Sequence, residues 1–176
     1  VLSGSVPPGV PKTGYAELAA LARRQGATVI VDADGDSLAR AFQAGPDVVK
    51  PNAEEVAALL GRPVSTREDA RDAGRALVHR GAHAAVISRG AAGLVAVRAG
   101  EALEVRLPRT VDGNPTGAGD ALAAALARGF SAGATWREML CDAAAISAAA
   151  VAEPVAGGFV QAVAEELRPA IELEEF

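Results

Sequence analysis

Gly113-Asn114-Pro115-Thr116-Gly117-Ala118-Gly119-Asp120 is a polar, glycine-rich turn that runs straight into an apolar stretch at helical spacing. The first N–H groups of a helix lack partners within it and point outward, and the helix dipole adds positive potential there. Such a turn is a ready anion site. Glycine at 117 and 119 leaves no Cβ to keep a phosphate from the backbone. Asp120 falls in the first helical turn, where an acid is also common simply because it stabilises the helix. The stretch is not a Walker loop, since Gly-x-x-x-x-Gly-Lys-Ser/Thr occurs nowhere. A Rossmann turn fits poorly, because Leu122 stands in place of the third glycine and no strand ending in an acid follows.

Upstream of the turn, strands and helices alternate. A helix over 15–25 carries Leu18, Leu21 and Ala22 at helical spacing and stops at Gly26. Strands are expected at 27–32, 47–50 and 84–88, with helices at 37–44, 52–60 and from the Ser65-Thr66-Arg67-Glu68 capping box to about Gly81. An antiparallel pair over 94–98 and 102–107 follows the Gly90/Gly93 turn. Downstream the chain becomes helical: 119–128 ending at Gly129, a capping box at Thr135-Trp136-Arg137-Glu138 opening a helix to about Ala152, and a last helix over 159–167 stopped by Pro169. This order argues an α/β layered sheet flanked by helices. At the start, residues 1–5 read as the end of a buried strand followed by a tight turn.

Composition limits the function classes. Of 176 residues, 50% are hydrophobic and 22% charged, which fits a globular domain with a real core. Only 3% are aromatic, so that core is built from Ala, Val, Leu and Ile. The net charge of −5 argues against nucleic acid as a partner, and any phosphate site must make its positive potential locally. The lone Cys141 can form no internal disulfide and reads as a small buried thiol; His79 and His83 read as surface residues. No signal peptide opens the chain, and the Ala-rich run over 143–152 is too short to span a bilayer, so a cytoplasmic protein without a membrane partner is expected.

Two further motifs bear on chemistry. In Lys50-Pro51-Asn52-Ala53-Glu54-Glu55 a strand ends and a helix begins on Asn52 with an acid three residues on. This pattern is also a capping box, and a carboxylate there could instead serve Mg²⁺ through water. Ser88-Arg89-Gly90-Ala91-Ala92-Gly93 follows a strand and could wrap a nucleotide or be a plain hairpin turn.

These motifs, in this order and together with Ser3-Gly4-Ser5-Val6-Pro7-Pro8-Gly9, resemble the PfkB family of carbohydrate kinases within the ribokinase-like superfamily, in its phosphofructokinase and tagatose-6-phosphate kinase branch. The resemblance covers essentially the whole chain. It implies a three-layer ribokinase-like sheet, with 1–176 as the C-terminal nucleotide-binding and catalytic part of a single kinase domain. The family's N-terminal sugar-binding part and lid would be absent, so the chain alone is expected to be inactive. The implied activity is ATP-dependent phosphorylation of a ketohexose phosphate such as fructose 1-phosphate, fructose 6-phosphate or tagatose 6-phosphate. A kinase for an unphosphorylated sugar or a nucleoside, or a non-catalytic nucleotide-binding fragment, stands as the alternative.

The resemblance also implies roles. Asp120 would be the general base and touch the acceptor, and Gly117, Ala118 and Gly119 would form the anion hole. Lys50, Asn52, Ser88, Gly90, Gly93, Ser147 and Ala148 would bind the nucleotide. Ser3 and Ser5 would lie near the sugar. Glu55 would hold Mg²⁺ through water. Asn114 and Thr116, with the Gly157 region, correspond to the monovalent-cation (K⁺) loop of some relatives. A homodimer is left open for the full-length protein. Two departures stand out: relatives often carry Asp-Thr-Thr where this chain has Asn114-Pro115-Thr116, and Arg89 replaces an expected apolar residue.

Overall fold

The computed structural model describes all residues, 1–176. It contains one seven-stranded sheet whose strands are ordered as in the chain, β1 to β7. The chain divides into two compact units, Val1–Ser88 with Val95–Ala102, and Arg89–Leu94 with Leu103–Phe176.

In the first unit β1 (Leu2–Ser3), β2 (Ile30–Asp32), β3 (Val48–Val49) and β4 (Ala84–Ser88) pair in parallel. They are linked by α1 (Gly14–Arg24), α2 (Gly35–Ala41), α3 (Ala53–Leu60) and α4 (Arg67–His79). Strands covered on both faces need near-continuous apolar runs, which Val29-Ile30-Val31, Val48-Val49 and Ala84-Ala85-Val86-Ile87 supply, all buried. The helix over Arg67–His79 starts one residue later than expected: Thr66 accepts from Asp69 N, and Asp69 in turn caps Thr66 N at 2.9 Å. The backbone N–H and hydroxyl of Thr66, with the N–H of Ser65, hold the Asp69 carboxyl below the usual aspartate range.

Two expectations in this unit fail. The strand at the chain start is not buried: Leu2 is half-buried, Val1 is exposed, and β1 pairs only with β2 at the sheet edge. On α1, Leu18 and Leu21 are exposed, and Ala16 and Ala19 turn inward. Small residues let this helix pack closely, so its larger apolar side chains face outward.

The second unit holds α5 (Ala118–Ala132), α6 (Trp136–Val151), α7 (Gln161–Leu167) and β7 (Glu172–Glu175). Strands β5 (Leu94–Arg98) and β6 (Glu101–Arg106) are shared between the units. Helix α5 does not stop at Gly129; it runs on to Ala132 and ends on Gly133 in the left-handed region. Gly129 is interior because α6 packs there: a Cβ would come 2.3 Å from Met139 Cγ. Gly129→Ala should therefore cost about 1–3 kcal/mol by overpacking. Urea unfolding checks this, and a midpoint equal to that of the parent chain would show that Met139 yields freely.

The strand β7, Glu-Leu-Glu-Glu, was not expected, since acids are depleted from strands. It forms because it pairs antiparallel with β6, where Arg106 meets Glu172 and Glu174, each at 3.0 Å. Those two carboxylates hold the Arg106 guanidinium above its usual range, Glu172 the more strongly.

Candidate active site

In open parallel sheets the carboxyl ends of strands are where side chains converge on ligands. In the first unit those ends carry Ser3, Asp32, Lys50 and Ser88, and an isolated parallel bridge extends the pairing to Asn52 and Ser88. Lys50 is buried, 3% exposed, and its Nζ lies 2.9 Å from Asp32 Oδ1. The Ser3 hydroxyl donates to Asp32 Oδ2 at 3.4 Å, and the Tyr15 hydroxyl donates to Ser3 O at 2.7 Å. Ser5 is exposed just past Gly4, which turns at φ +82°. Asp32 and Tyr15 were missed in the sequence. A buried lysine demands a counter-charge, and the acid closing the Ile30-Val31 run was the available signal.

Asn52 and Glu55 form a complete capping box: Asn52 Oδ1 accepts Glu55 N and Glu55 Oε2 accepts Asn52 N, both at 2.8 Å. Capping is therefore a role that Glu55 has in the fold. No group of three or more His, Cys, Asp or Glu side chains could hold a metal by itself. A single carboxylate can hold a hard cation only together with oxygen ligands that the cation brings itself, which is chemistry that suits Mg²⁺. Glu55→Gln keeps the cap, so the melting temperature should hold while the Mg²⁺ dependence of any nucleotide reaction moves to higher concentration. A fall in melting temperature with unchanged Mg²⁺ dependence would leave capping as its whole role.

In the second unit Gly117 adopts φ +87° as the N-cap of α5, and Asp120 lies exposed in the first turn. Ala118 N–H donates back to Pro115 O at 3.2 Å, so Gly119 is the first α5 residue whose N–H is not spent within the turn. The Ser147 hydroxyl, from α6, donates to Ala118 O at 3.0 Å. That oxygen belongs to the same planar peptide as the Gly119 N–H, so Ser147 also fixes the direction of this donor. Ala148 is buried beside it in sequence, in a cluster with Ala145 and Leu167. Asn114 and Thr116 precede the turn and bond to each other, Thr116 N to Asn114 Oδ1 at 3.0 Å.

The Gly90–Ala92 segment is a short 3-10 turn. Gly93 is glycine for a packing reason: a Cβ would lie 2.0 Å from Val105 O. Arg89 is no misfit either. Its guanidinium lies 3.0 Å from Glu104 Oε1, both side chains well buried, and Glu104 also meets Arg106 at 2.7 Å. Elsewhere Cys141 is half-buried and burial pushes its thiol up; His83 lies on the surface against Asp47. No helix is long and apolar enough to cross a membrane.

The model of the pfkB family of carbohydrate kinases matches residues 1–162. The chain belongs to the pfkB family. It is 42% identical over 152 residues to the 1-phosphofructokinase of Rhodobacter capsulatus, which covers 86% of this chain and 48% of that protein. To the ATP-dependent 6-phosphofructokinase isozyme 2 of Escherichia coli it is 34% identical over 152 residues, covering 85% of this chain and 49% of the relative. Among solved structures, phosphofructokinase-2 from Escherichia coli in complex with potassium superposes with a TM-score of 0.87 at 29% identity, over 96% of this chain and 55% of that one. This pfkB chain thus spans about half the length of the curated relatives it matches.

Proposed function

We propose that this pfkB chain is the nucleotide-binding and catalytic part of a single kinase domain that phosphorylates a ketohexose phosphate with ATP. The observation that carries the reading is the Gly117-Ala118-Gly119-Asp120 turn at the N-terminus of α5, held by Ser147 from α6. Phosphoryl transfer needs in-line positioning and charge neutralisation more than covalent help. The Gly119 N–H and the helix N-terminus meet the negative charge of the transferring group, and Asp120 orients the acceptor hydroxyl and takes its proton as the bond to phosphorus forms. Lys50 faces the nucleotide phosphates from a rigid base, since Asp32 holds it. Asn52, Ser88, Gly90, Gly93 and Ala148 line the nucleotide, and Ser3 and Ser5 border the sugar. Glu55 would hold Mg²⁺ through water, and the cation would supply charge neutralisation at the phosphates.

The 1-phosphofructokinase and 6-phosphofructokinase names of the relatives favour a fructose phosphate as the acceptor. A cytoplasmic setting, where ATP and sugar phosphates are found, is part of this reading. One neighbour is a tetrameric inhibited form, and for this chain a homodimer is the assembly to test first.

The test is ADP release with Mg-ATP and a panel of acceptors, using protein expressed from the whole open reading frame. Turnover is expected with fructose 1-phosphate, fructose 6-phosphate or tagatose 6-phosphate. Turnover confined to unphosphorylated sugars or nucleosides would move the assignment to that class, and ATP binding without any turnover would make the chain a non-catalytic nucleotide binder.

A further inference from the structure

The turn before α5 is closed by one neutral side chain. The Asn114 backbone N–H donates to Val151 O at 2.8 Å. Its Oδ1 accepts Thr116 N at 3.0 Å, and its Nδ2 donates to Pro154 O at 3.2 Å. The carboxamide therefore spans two chain segments, the one entering α5 and the one leaving α6. Its orientation is not interchangeable, because Thr116 N can only donate and Pro154 O can only accept. The segments approach closely on both sides of this tie. A Cβ on Gly113 would lie 2.0 Å from Val151 O, and one on Gly117 would lie 3.4 Å from Ala156 Cβ.

A carboxylate at 114 could not make this tie. It would present oxygen to the Pro154 carbonyl with no proton between them, and the two oxygens could be held together only through a water or a cation. Carbonyl and carboxylate oxygens are suitable ligands for a hard cation. An amide NH₂ puts the positive end of a dipole at that place, so the carboxamide as oriented here disfavours a bound cation.

We propose that Asn114 is a positioning residue whose Nδ2 amide takes the place of a monovalent cation between the 113–116 and 151–157 segments, so that the turn carrying the Gly119 N–H is held without potassium. This departs from the expectation that Asn114 and Thr116 form a cation site. It concerns the turn used in the proposed reaction, but its test reads stability, so the two readings fail separately.

The experiment compares melting temperatures, in potassium chloride and in tetramethylammonium chloride at equal ionic strength, of protein expressed from the whole open reading frame. The parent chain should melt at the same temperature in both. Asn114→Asp should melt about 2–4 °C lower in tetramethylammonium and regain the loss in potassium. Asn114→Ala should lose stability equally in both salts, which separates loss of a tie from gain of a cation site. A parent chain stabilised by potassium overturns the proposal. So does Asn114→Asp behaving alike in both salts, whether folded or unfolded, because a cation able to replace the amide must restore the tie.

Discussion

Asp120→Asn is expected to lower kcat by about 10²–10⁴, the usual cost of removing a general base, in protein expressed from its whole open reading frame. This corresponds to about 3–5 kcal/mol of transition-state stabilisation. Asn keeps the size of the side chain and its place in the first turn of α5, so the helix should persist. Nucleotide affinity should hold or rise slightly, because a negative charge near the phosphates is gone. The split matters: a loss carried in KM with kcat unchanged would mean that Asp120 binds the acceptor and does not take its proton. Near-normal turnover would leave Asp120 as a helix-stabilising acid only.

Asp32→Ala should have the largest effect on stability. It strips the partner from Lys50, which is 3% exposed. Leaving a buried charge uncompensated costs about 3–5 kcal/mol, a fall in melting temperature of about 6–20 °C for a chain of this size. Removing both charges together, Asp32→Leu with Lys50→Met, should regain most of that loss, because an apolar pair needs no desolvation. Unchanged melting of Asp32→Ala would show that Lys50 reaches water or another anion. Stability regained by the double variant without nucleotide affinity would separate the structural role of the pair from the proposed contact of Lys50 with phosphate.

Features set by local chemistry were legible in the sequence. The strand Ala84–Ser88 came from an unbroken apolar run, and the helix starts at Asn52 and Thr135 from capping boxes that the structure contains in full. Features set by packing were not. Gly129 reads as a helix stop, yet the helix passes through it because Met139 needs the space. The acidic strand Glu172–Glu175 has no apolar signature; its partner Arg106 lies far away in sequence. The helix Gly14–Arg24 shows its leucines outward because alanines make the close approach.

The same division holds at the site. The Gly117-to-Asp120 turn stood out through its glycines, and Lys50, Asn52 and Glu55 through their motif. Asp32, the Ser147 bond to Ala118 O and the Asn114 tie depend on which distant segments meet. Arg89 looked anomalous only until Glu104 was placed beside it.

Titrating the ¹⁵N-labelled chain with Mg-ATP, and following the amide resonances of residues 117–120, tests most directly whether the α5 turn receives phosphate. The account predicts saturable shifts there, largest at the Gly119 N–H, absent with adenosine and reduced with Mg-ADP. Saturable binding of Mg-ATP that leaves all four of those amides unmoved would contradict it.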